Sequence, residues 1–296
     1  MTAENFRPAT VSDALKMLED IAFSASDVVF RGHSDPSWRL NSTLSRFIQT
    51  PLAEMHLARL EGMLHQFFGN LRSIGTLPEA ADSRRGRLEY GRHYGVPSPL
   101  IDFTFSPYVS LFFAFNDVNF RRGQEEEEVV VYALDLMQLA LAQQRRFKDQ
   151  TAHAVDSFFA QSAEIFDKMF EHGYPLNVLK FFRYPASWNI RMQRQLGCFI
   201  YDAFQHRSYG YADLEEFAAD ITEVDFPDRG IWSCLNRIYF KKHWAGAILS
   251  RLELMGITAT HLLGVEGAAM DVRNSYVYNR KAGRPWDLRL SKGDST

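Results

Sequence analysis

The segment from Tyr90 to Phe115 constrains the fold of this chain more than any other stretch. It begins with polar and glycine-rich sequence, continues through a turn with Pro97 and Pro99, and ends in an apolar run. The two prolines fix the backbone φ angle and remove two backbone donors, so they favour a turn. The run after Pro107 is apolar on nearly every side, which predicts a buried helix. A polar turn that enters a buried helix can hold side chains rigidly at a cleft.

Four polar side chains of this segment are candidate functional residues: His93, Tyr94, Asp102 and Thr104. Residues of these types near a turn also often serve only to satisfy backbone groups. Both interpretations stay open at the level of sequence.

The rest of the chain alternates between helical spacing and short runs of β-branched or aromatic residues. Predicted helices cover about residues 12–23, 51–71, 138–173, 211–221 and 238–256. Predicted strands cover residues 27–31, 129–134, 178–182, 197–201 and, weakly, 261–265, with a loop at 77–87 and a polar tail at 281–296. Because repeats and linkers are absent, the pattern predicts one α+β domain over residues 1–296, with a modest mixed sheet surrounded by helices.

Charge and motifs exclude several function classes. A net charge of -3 gives no bulk attraction to nucleic acid or to anionic membranes. Cys198 and Cys234 provide neither a disulfide framework nor zinc spacing, so we expect no metal. The sequence lacks the motifs of zinc hydrolases, P-loop proteins and serine hydrolases. Without a signal-peptide pattern or a long apolar run, we expect a soluble cytoplasmic protein with no membrane contact.

Three separated blocks of the chain resemble the signatures of the FRG domain. The first is Phe30-Arg31-Gly32 with Trp38, Leu40 and Arg46; the second is His93-Tyr94-Gly95 with Pro97, Leu100, Asp102 and Thr104; the third is Arg191 with Gln195, Gly197 and Phe199. With a C-terminal helix they span about residues 28–272. The chain departs from the usual pattern at three positions, where Arg92, Ser98 and Pro99 replace glutamine, threonine and arginine.

The arrangement of the blocks looks like the NAD site of an ADP-ribosyltransferase. By this resemblance, the residues that bind NAD as a substrate are Arg31, Gly32, His93, Tyr94, Ser98 and Arg191, and the catalytic residues are Asp102, Thr104 and Gln195. Arg31 would hold phosphates, Gly32 would let the backbone approach the ligand, and Tyr94 would stack on nicotinamide. A hydroxyl would come from Thr104 or Ser98.

Gln195 stands where this class of enzyme usually carries a glutamate, and an amide cannot supply a negative charge. The charge that stabilises a developing cation on the ribose would then come from Asp102. The alternatives are nucleotide binding without turnover, a structural ion pair between Arg31 and Asp102, and a core role for the Gln195 amide.

Two functions follow as hypotheses. The first is an NAD-using, ADP-ribosyltransferase-like effector, such as a bacterial toxin or a phage-defence protein. Its acceptor, protein or nucleic acid, and a neutralising partner are left open. The second is a non-catalytic module that binds a nucleotide, or binds nucleic acid through Arg84–Arg92 with its two tyrosines. On the first hypothesis, Arg31, His93, Asp102 and Gln195 converge on one pocket.

Overall fold

The computed structural model describes residues 4–24, 27–47, 53–78, 82–116, 127–146, 158–159, 179–183, 190–201, 213–225 and 234–279. Within these ranges, seven strands form one mixed open sheet in the order β1-β7-β4-β2-β3-β6-β5. The strands are β1 Glu4–Phe6, β2 Val28–His33, β3 Leu100–Thr104, β4 Glu128–Asp135, β5 Lys180–Phe182, β6 Gly197–Tyr201 and β7 Leu235–Lys241. All neighbours are antiparallel except the parallel pair β1 and β7. The predicted α+β class with a mixed sheet is therefore confirmed.

Helices cover both faces of the sheet. In chain order they are α1 Val11–Ser24, α2 Thr43–Phe47, α3 Ala53–Ser73, α4 Arg84–His93, α5 Pro107–Phe115, α6 Leu136–Arg146, α7 Ile190–Arg194, α8 Leu214–Asp225, α9 Ala245–Leu254, α10 Ala259–Leu263 and α11 Val265–Asn279. None of these described helices is long and apolar enough to cross a membrane.

The core lies on the two sides of the interior strand β4, whose residues are almost all buried. Val130 and Tyr132 pack with α6 and α8 on one face, and Val129 and Val131 pack with α1, α5 and α9 on the other. Burial on both faces explains the uninterrupted apolar run that made β4 easy to predict. Helices α3 and α4 pack on the β3–β6–β5 side, where Leu100 is fully enclosed.

Four predictions of local structure are wrong. Residues 77–87 were expected to be a loop, yet α4 begins at Arg84, where the Ser83 hydroxyl accepts a hydrogen bond from the Gly86 amide. The predicted helix 238–256 begins as strand β7, and the predicted strand 261–265 includes most of α10. Asp102 and Thr104 were expected in a turn, but they lie on strand β3. The predicted polar tail lies outside the described residues.

The sheet opens between β2 and β3. These strands share a single register pair, Phe30 with Thr104, whereas β2 and β4 are paired over six residues. Beyond Phe30, the residues that would have continued the β2–β3 ladder line a cavity instead. The opening places the second half of β2 opposite the first half of β3, and this gap positions the candidate site.

Candidate functional site

The cavity between β2 and β3 has a volume of about 900 Å³. Its walls come from β2, β3, the helices α2, α4, α5 and α7, and the segment between β2 and α2. Seven of the nine predicted site residues line it: Arg31, Gly32, His93, Asp102, Thr104, Arg191 and Gln195. The four residues that were expected to converge are among these seven, although their chemical roles stay predictions.

Arg31 lies on β2 and crosses the gap to β3. Its Nε donates to His33 Nε2 at 2.7 Å, and its Nη1 donates to the backbone carbonyl of Asp102 at 2.7 Å. Nη1 also lies 3.8 Å from Asp102 Oδ2. The guanidinium thus occupies the place of a missing strand neighbour, which holds it rigidly at the cavity wall.

Asp102 is the one carboxylate among the described residues that line the cavity. Its Oδ1 lies 2.5 Å from Nη1 of Arg92, at the end of α4. The same guanidinium lies 4.6 Å from the centre of the Phe199 ring. Arg92, which replaces the usual glutamine, therefore supplies an ion pair that a glutamine could not. The structural alternative for Arg31 has partial support, because Asp102 is shared between two arginines.

Positive charge dominates the cavity. Burial lowers the pKa of the Arg31 guanidinium, and Asp102 acts in the opposite direction. The guanidiniums of Arg46 and Arg92 lower this pKa further, because like charges disfavour one another. Arginine remains protonated near pH 7, so the cluster keeps its charge. Such a cluster favours an anionic ligand.

His33 and His93 line the cavity beside the arginines. His33 is 4 % exposed, and its pKa falls to about 3 because of burial and the charge of Arg31. It is therefore neutral near pH 7 and can accept the hydrogen bond from Arg31 Nε. His93 Nε2 lies 3.0 Å from Oε1 of the buried Glu89, one helical turn away.

Thr104 and Gln195 connect β3 to the turn before β6. The Thr104 hydroxyl donates to the Gln195 carbonyl at 2.6 Å and accepts from the Ser106 amide at 3.0 Å. The Gln195 side-chain amide donates to the Leu262 carbonyl at 3.1 Å. These bonds favour the structural interpretation of Gln195, and they commit the Thr104 hydroxyl to two backbone groups.

Gly32 has a packing reason to be glycine. A Cβ atom at this position would lie 2.0 Å from the Ser110 carbonyl oxygen and 2.7 Å from the Ala114 amide nitrogen. Both atoms belong to the backbone of α5, which therefore packs directly on β2. The expected role, close approach of a ligand, is replaced on this side of the strand by close approach of a helix.

The comparison with known families confirms part of the resemblance. Residues 26–127 match the family model of the FRG domain. This part of the chain is an FRG domain. The match covers about a third of the 296 residues and includes Arg31, Arg92 and Asp102, but it ends before Arg191 and Gln195. No curated protein and no solved structure is significantly similar to the chain, so the likeness to ADP-ribosyltransferases stays a prediction.

Two predicted site residues of the FRG domain lie outside the cavity. Tyr94 is 65 % exposed and packs against Tyr90, with 4.8 Å between ring centres. Buried Ser98 bonds the start of α2, where its amide donates to the Thr43 hydroxyl and its carbonyl accepts from Leu44 N. The cavity therefore gives no support to the stacking role of Tyr94 or the hydroxyl role of Ser98, which stay predictions. Pro99, the third departure from the usual pattern, does not line it either.

Arg191 lines the cavity wall contributed by α7. Its Nη1 lies 3.2 Å from Oε2 of Glu266, which is 71 % exposed. Glu266 is the next acid to consider after Asp102, but it is not among the residues that line the cavity. Asp102 is thus the one acid among the described lining residues, and a ligand in the cavity would contact it.

Sequence reasoning overlooked several lining residues. Asn41 Oδ1 is buried in the wall and accepts no hydrogen bond from the described residues. Trp38 and Phe113 provide partly exposed aromatic rings, and Arg39 adds another cation. Trp38 and Arg46 carried a sequence signal, since both belong to the first FRG signature. Asn41 and Phe113 carried none, because their position depends on the gap between β2 and β3.

The α4 arginines whose contacts are described, among the residues considered for nucleic-acid binding, have different partners. Arg84 pairs with Glu61 at 3.1 Å, and Arg87 lies over the Phe68 ring at 5.9 Å. Arg92 points into the cavity. These separate contacts give no support to a single phosphate-binding face on this helix. Within the described ranges, no group of three or more His, Cys, Asp or Glu side chains could hold a metal ion.

Proposed function

We propose that the cavity of this FRG domain binds a nucleotide through its phosphates, and that the nucleotide is NAD, as the resemblance to ADP-ribosyltransferase sites implies. The proposal depends on one observation: the guanidiniums of Arg31, Arg46 and Arg92 are grouped beside a single carboxylate within the described lining. Three positive charges against one negative charge leave a formal excess of two. A pyrophosphate diester carries two negative charges and accepts the planar donor fork of arginine.

The remainder of the cavity suits a ligand with rings and hydroxyls. Trp38, which is 55 % exposed, offers an aromatic face for stacking. The buried Asn41 oxygen can accept a hydrogen bond from a ribose hydroxyl or an amide. The volume of about 900 Å³ falls within the usual range for small-molecule pockets, about 300–1,000 Å³.

Binding without turnover is the function that the geometry supports best, because Asp102 already pairs with Arg92. ADP-ribosyl transfer is the second candidate, and the observation that favours it is the half-exposed Asp102 carboxylate in the cavity. In that reaction the bond from ribose C1′ to nicotinamide breaks, and nicotinamide leaves with the electron pair. An acceptor nucleophile then bonds to C1′ and loses a proton. A role as a toxin or in phage defence depends on this turnover.

The test of nucleotide binding is a set of calorimetric titrations of the full chain. We expect NAD and ADP-ribose to bind, and adenosine and nicotinamide to bind at least tenfold more weakly because they lack phosphates. We also expect affinity to fall as salt is raised. Adenosine that binds as tightly as ADP-ribose would contradict the proposal. Release of nicotinamide from NAD in the presence of candidate acceptors separates transfer from binding.

Arg31→Lys tests the phosphate contact itself. Lysine keeps the charge but loses the fork and the bond to His33, so we expect ADP-ribose affinity to fall at least tenfold. The matched control is Arg251→Lys on the exposed part of α9, which should bind normally. If Arg31→Lys lowers thermal stability strongly while its folded fraction binds normally, Arg31 is a structural ion-pair partner instead.

A further inference from the structure

A second, smaller cavity adjoins the FRG-domain site. It has a volume of about 400 Å³, and its lining includes Thr43, Phe47 and Pro97. Arg46 and Arg92 line both this side cavity and the main cavity between β2 and β3. The two compartments therefore meet at a pair of guanidiniums.

The two shared arginines differ in their described hydrogen bonds. Arg46 Nη1 donates to the Asn41 carbonyl at 3.0 Å, and Arg46 forms no ion pair with a described carboxylate. Arg92 Nε is buried and finds no hydrogen-bond acceptor among the described residues. A buried donor without an acceptor is costly, so a ligand oxygen at this junction would stabilise the site.

We propose that a dinucleotide lies across both compartments, with its pyrophosphate at Arg46 and Arg92 and its adenosine half in the side cavity against Phe47. This inference rests on the proposed function and adds the orientation of the ligand. It makes the side cavity a subsite that selects dinucleotides, and ADP-containing ligands, by their adenine ring.

The Asp102 carboxylate favours one orientation of the dinucleotide, although arginines line both compartments. The nicotinamide ring of NAD is positively charged, and the main cavity contains the Asp102 carboxylate. Adenine is neutral, and the described lining of the side cavity contains no carboxylate. Phe47 lies at the end of α2 and is 67 % exposed, so its ring is open for stacking on a base.

The experiment compares two half-ligands, ADP and nicotinamide mononucleotide, with ADP-ribose, by titration into the full chain. Phe47→Ala should weaken ADP and ADP-ribose about tenfold, through loss of stacking, and leave nicotinamide mononucleotide unchanged. Phe47→Tyr keeps an aromatic ring and should bind ADP as tightly as the wild type. Phe47→Leu keeps only apolar bulk and should bind as weakly as Phe47→Ala. The control is Phe23→Ala at the end of α1, whose side chain is 87 % exposed and lies outside both cavities.

The outcomes separate this inference from the proposed function. Equal ADP affinities in the wild type and Phe47→Ala would overturn the adenosine subsite, even if all three ligands bind through Arg31. Equal weakening of ADP and nicotinamide mononucleotide would overturn it as well. If none of the three ligands binds to the wild type, the proposed function fails and the inference fails with it.

Discussion

At the scale of single residues, the decisive group is Asp102, held between Arg92 and Arg31. Asp102→Asn keeps the size of the side chain and the backbone carbonyl that Arg31 binds, but it removes the charge. If the protein transfers ADP-ribose, we expect nicotinamide release to fall about 10²-fold, because one preorganised electrostatic contact is lost. ADP-ribose affinity should survive, since the arginines remain.

The measurements are the initial rate of nicotinamide release and the binding constant for ADP-ribose on the same preparation. Unchanged turnover in Asp102→Asn would transfer the role to another acid, with Glu266 as the next candidate. An unfolded variant would show instead that Asp102 stabilises β3.

His33 makes a second prediction at this scale, on stability against pH. Its pKa is about 3 in the folded protein and about 6.5 in an unfolded chain, because burial and Arg31 disfavour the charged ring. The unfolded chain therefore binds the extra proton between these values. The contribution of His33 to the free energy of unfolding is therefore complete above pH 6.5 and is lost as the pH falls towards 3.

We expect this residue to lower the free energy of unfolding by about 2 kcal/mol between pH 7 and pH 5. Urea unfolding at the two pH values measures it. His33→Gln keeps an acceptor near Arg31 but does not titrate, so it should lose that part of the pH dependence. The same pH dependence in both proteins would show that His33 takes up its proton in the folded state.

At the scale of secondary-structure elements, the contact of β2 with α5 depends on Gly32. Because a Cβ atom there would lie 2.0 Å from a backbone oxygen of α5, we expect Gly32→Ala to destabilise the protein by about 3 kcal/mol or more. Gly69→Ala is the matched control, since no atom lies within 4 Å of its Cβ position in α3. The control should be neutral or stabilising by up to about 1 kcal/mol. Chemical unfolding measures both, and equal stabilities would refute direct packing of the helix on the strand.

Elements with a strong periodic pattern could be predicted from the sequence, and elements defined by pairing could not. Strand β6 has the predicted bounds, and α5 begins at Pro107 as expected. Strand β7 was taken for part of a helix because apolar residues continue without a break into α9. Its strand conformation depends on seven register pairs with β4, which are tertiary contacts. The prediction of a strand at 261–265 overlooked the helix cap at Thr258. The hydroxyl of this residue accepts a hydrogen bond from the His261 amide.

The candidate site was predictable in the same uneven way. The signatures of the FRG domain identified Arg31 and Asp102, which lie 71 positions apart in sequence and contact each other. The same pattern put Tyr94 at the site, because it cannot show that the chain turns this ring away to Tyr90. The side cavity and Phe47 depend on the placement of α2 against the turn after α4, which no local pattern encodes.

At the scale of the whole molecule, charge is distributed unevenly. The chain carries a net charge of -3, yet five arginines and one carboxylate line the main cavity within the described residues. The cavity therefore attracts anions by local arrangement, although the protein as a whole repels them. The opening of the sheet between β2 and β3 creates the cavity and brings the charged side chains together there, so the same feature of the fold produces both.

The most direct test of phosphate recognition is a crystal structure of the full chain with ADP-ribose. We predict that the pyrophosphate lies in the cavity between β2 and β3, with phosphate oxygens within about 3 Å of the guanidiniums of Arg31, Arg46 or Arg92. Asp102 should remain paired with Arg92 or face the terminal ribose. Phosphates that lie in solvent, or a ligand bound at another surface while this cavity stays empty, would contradict the account.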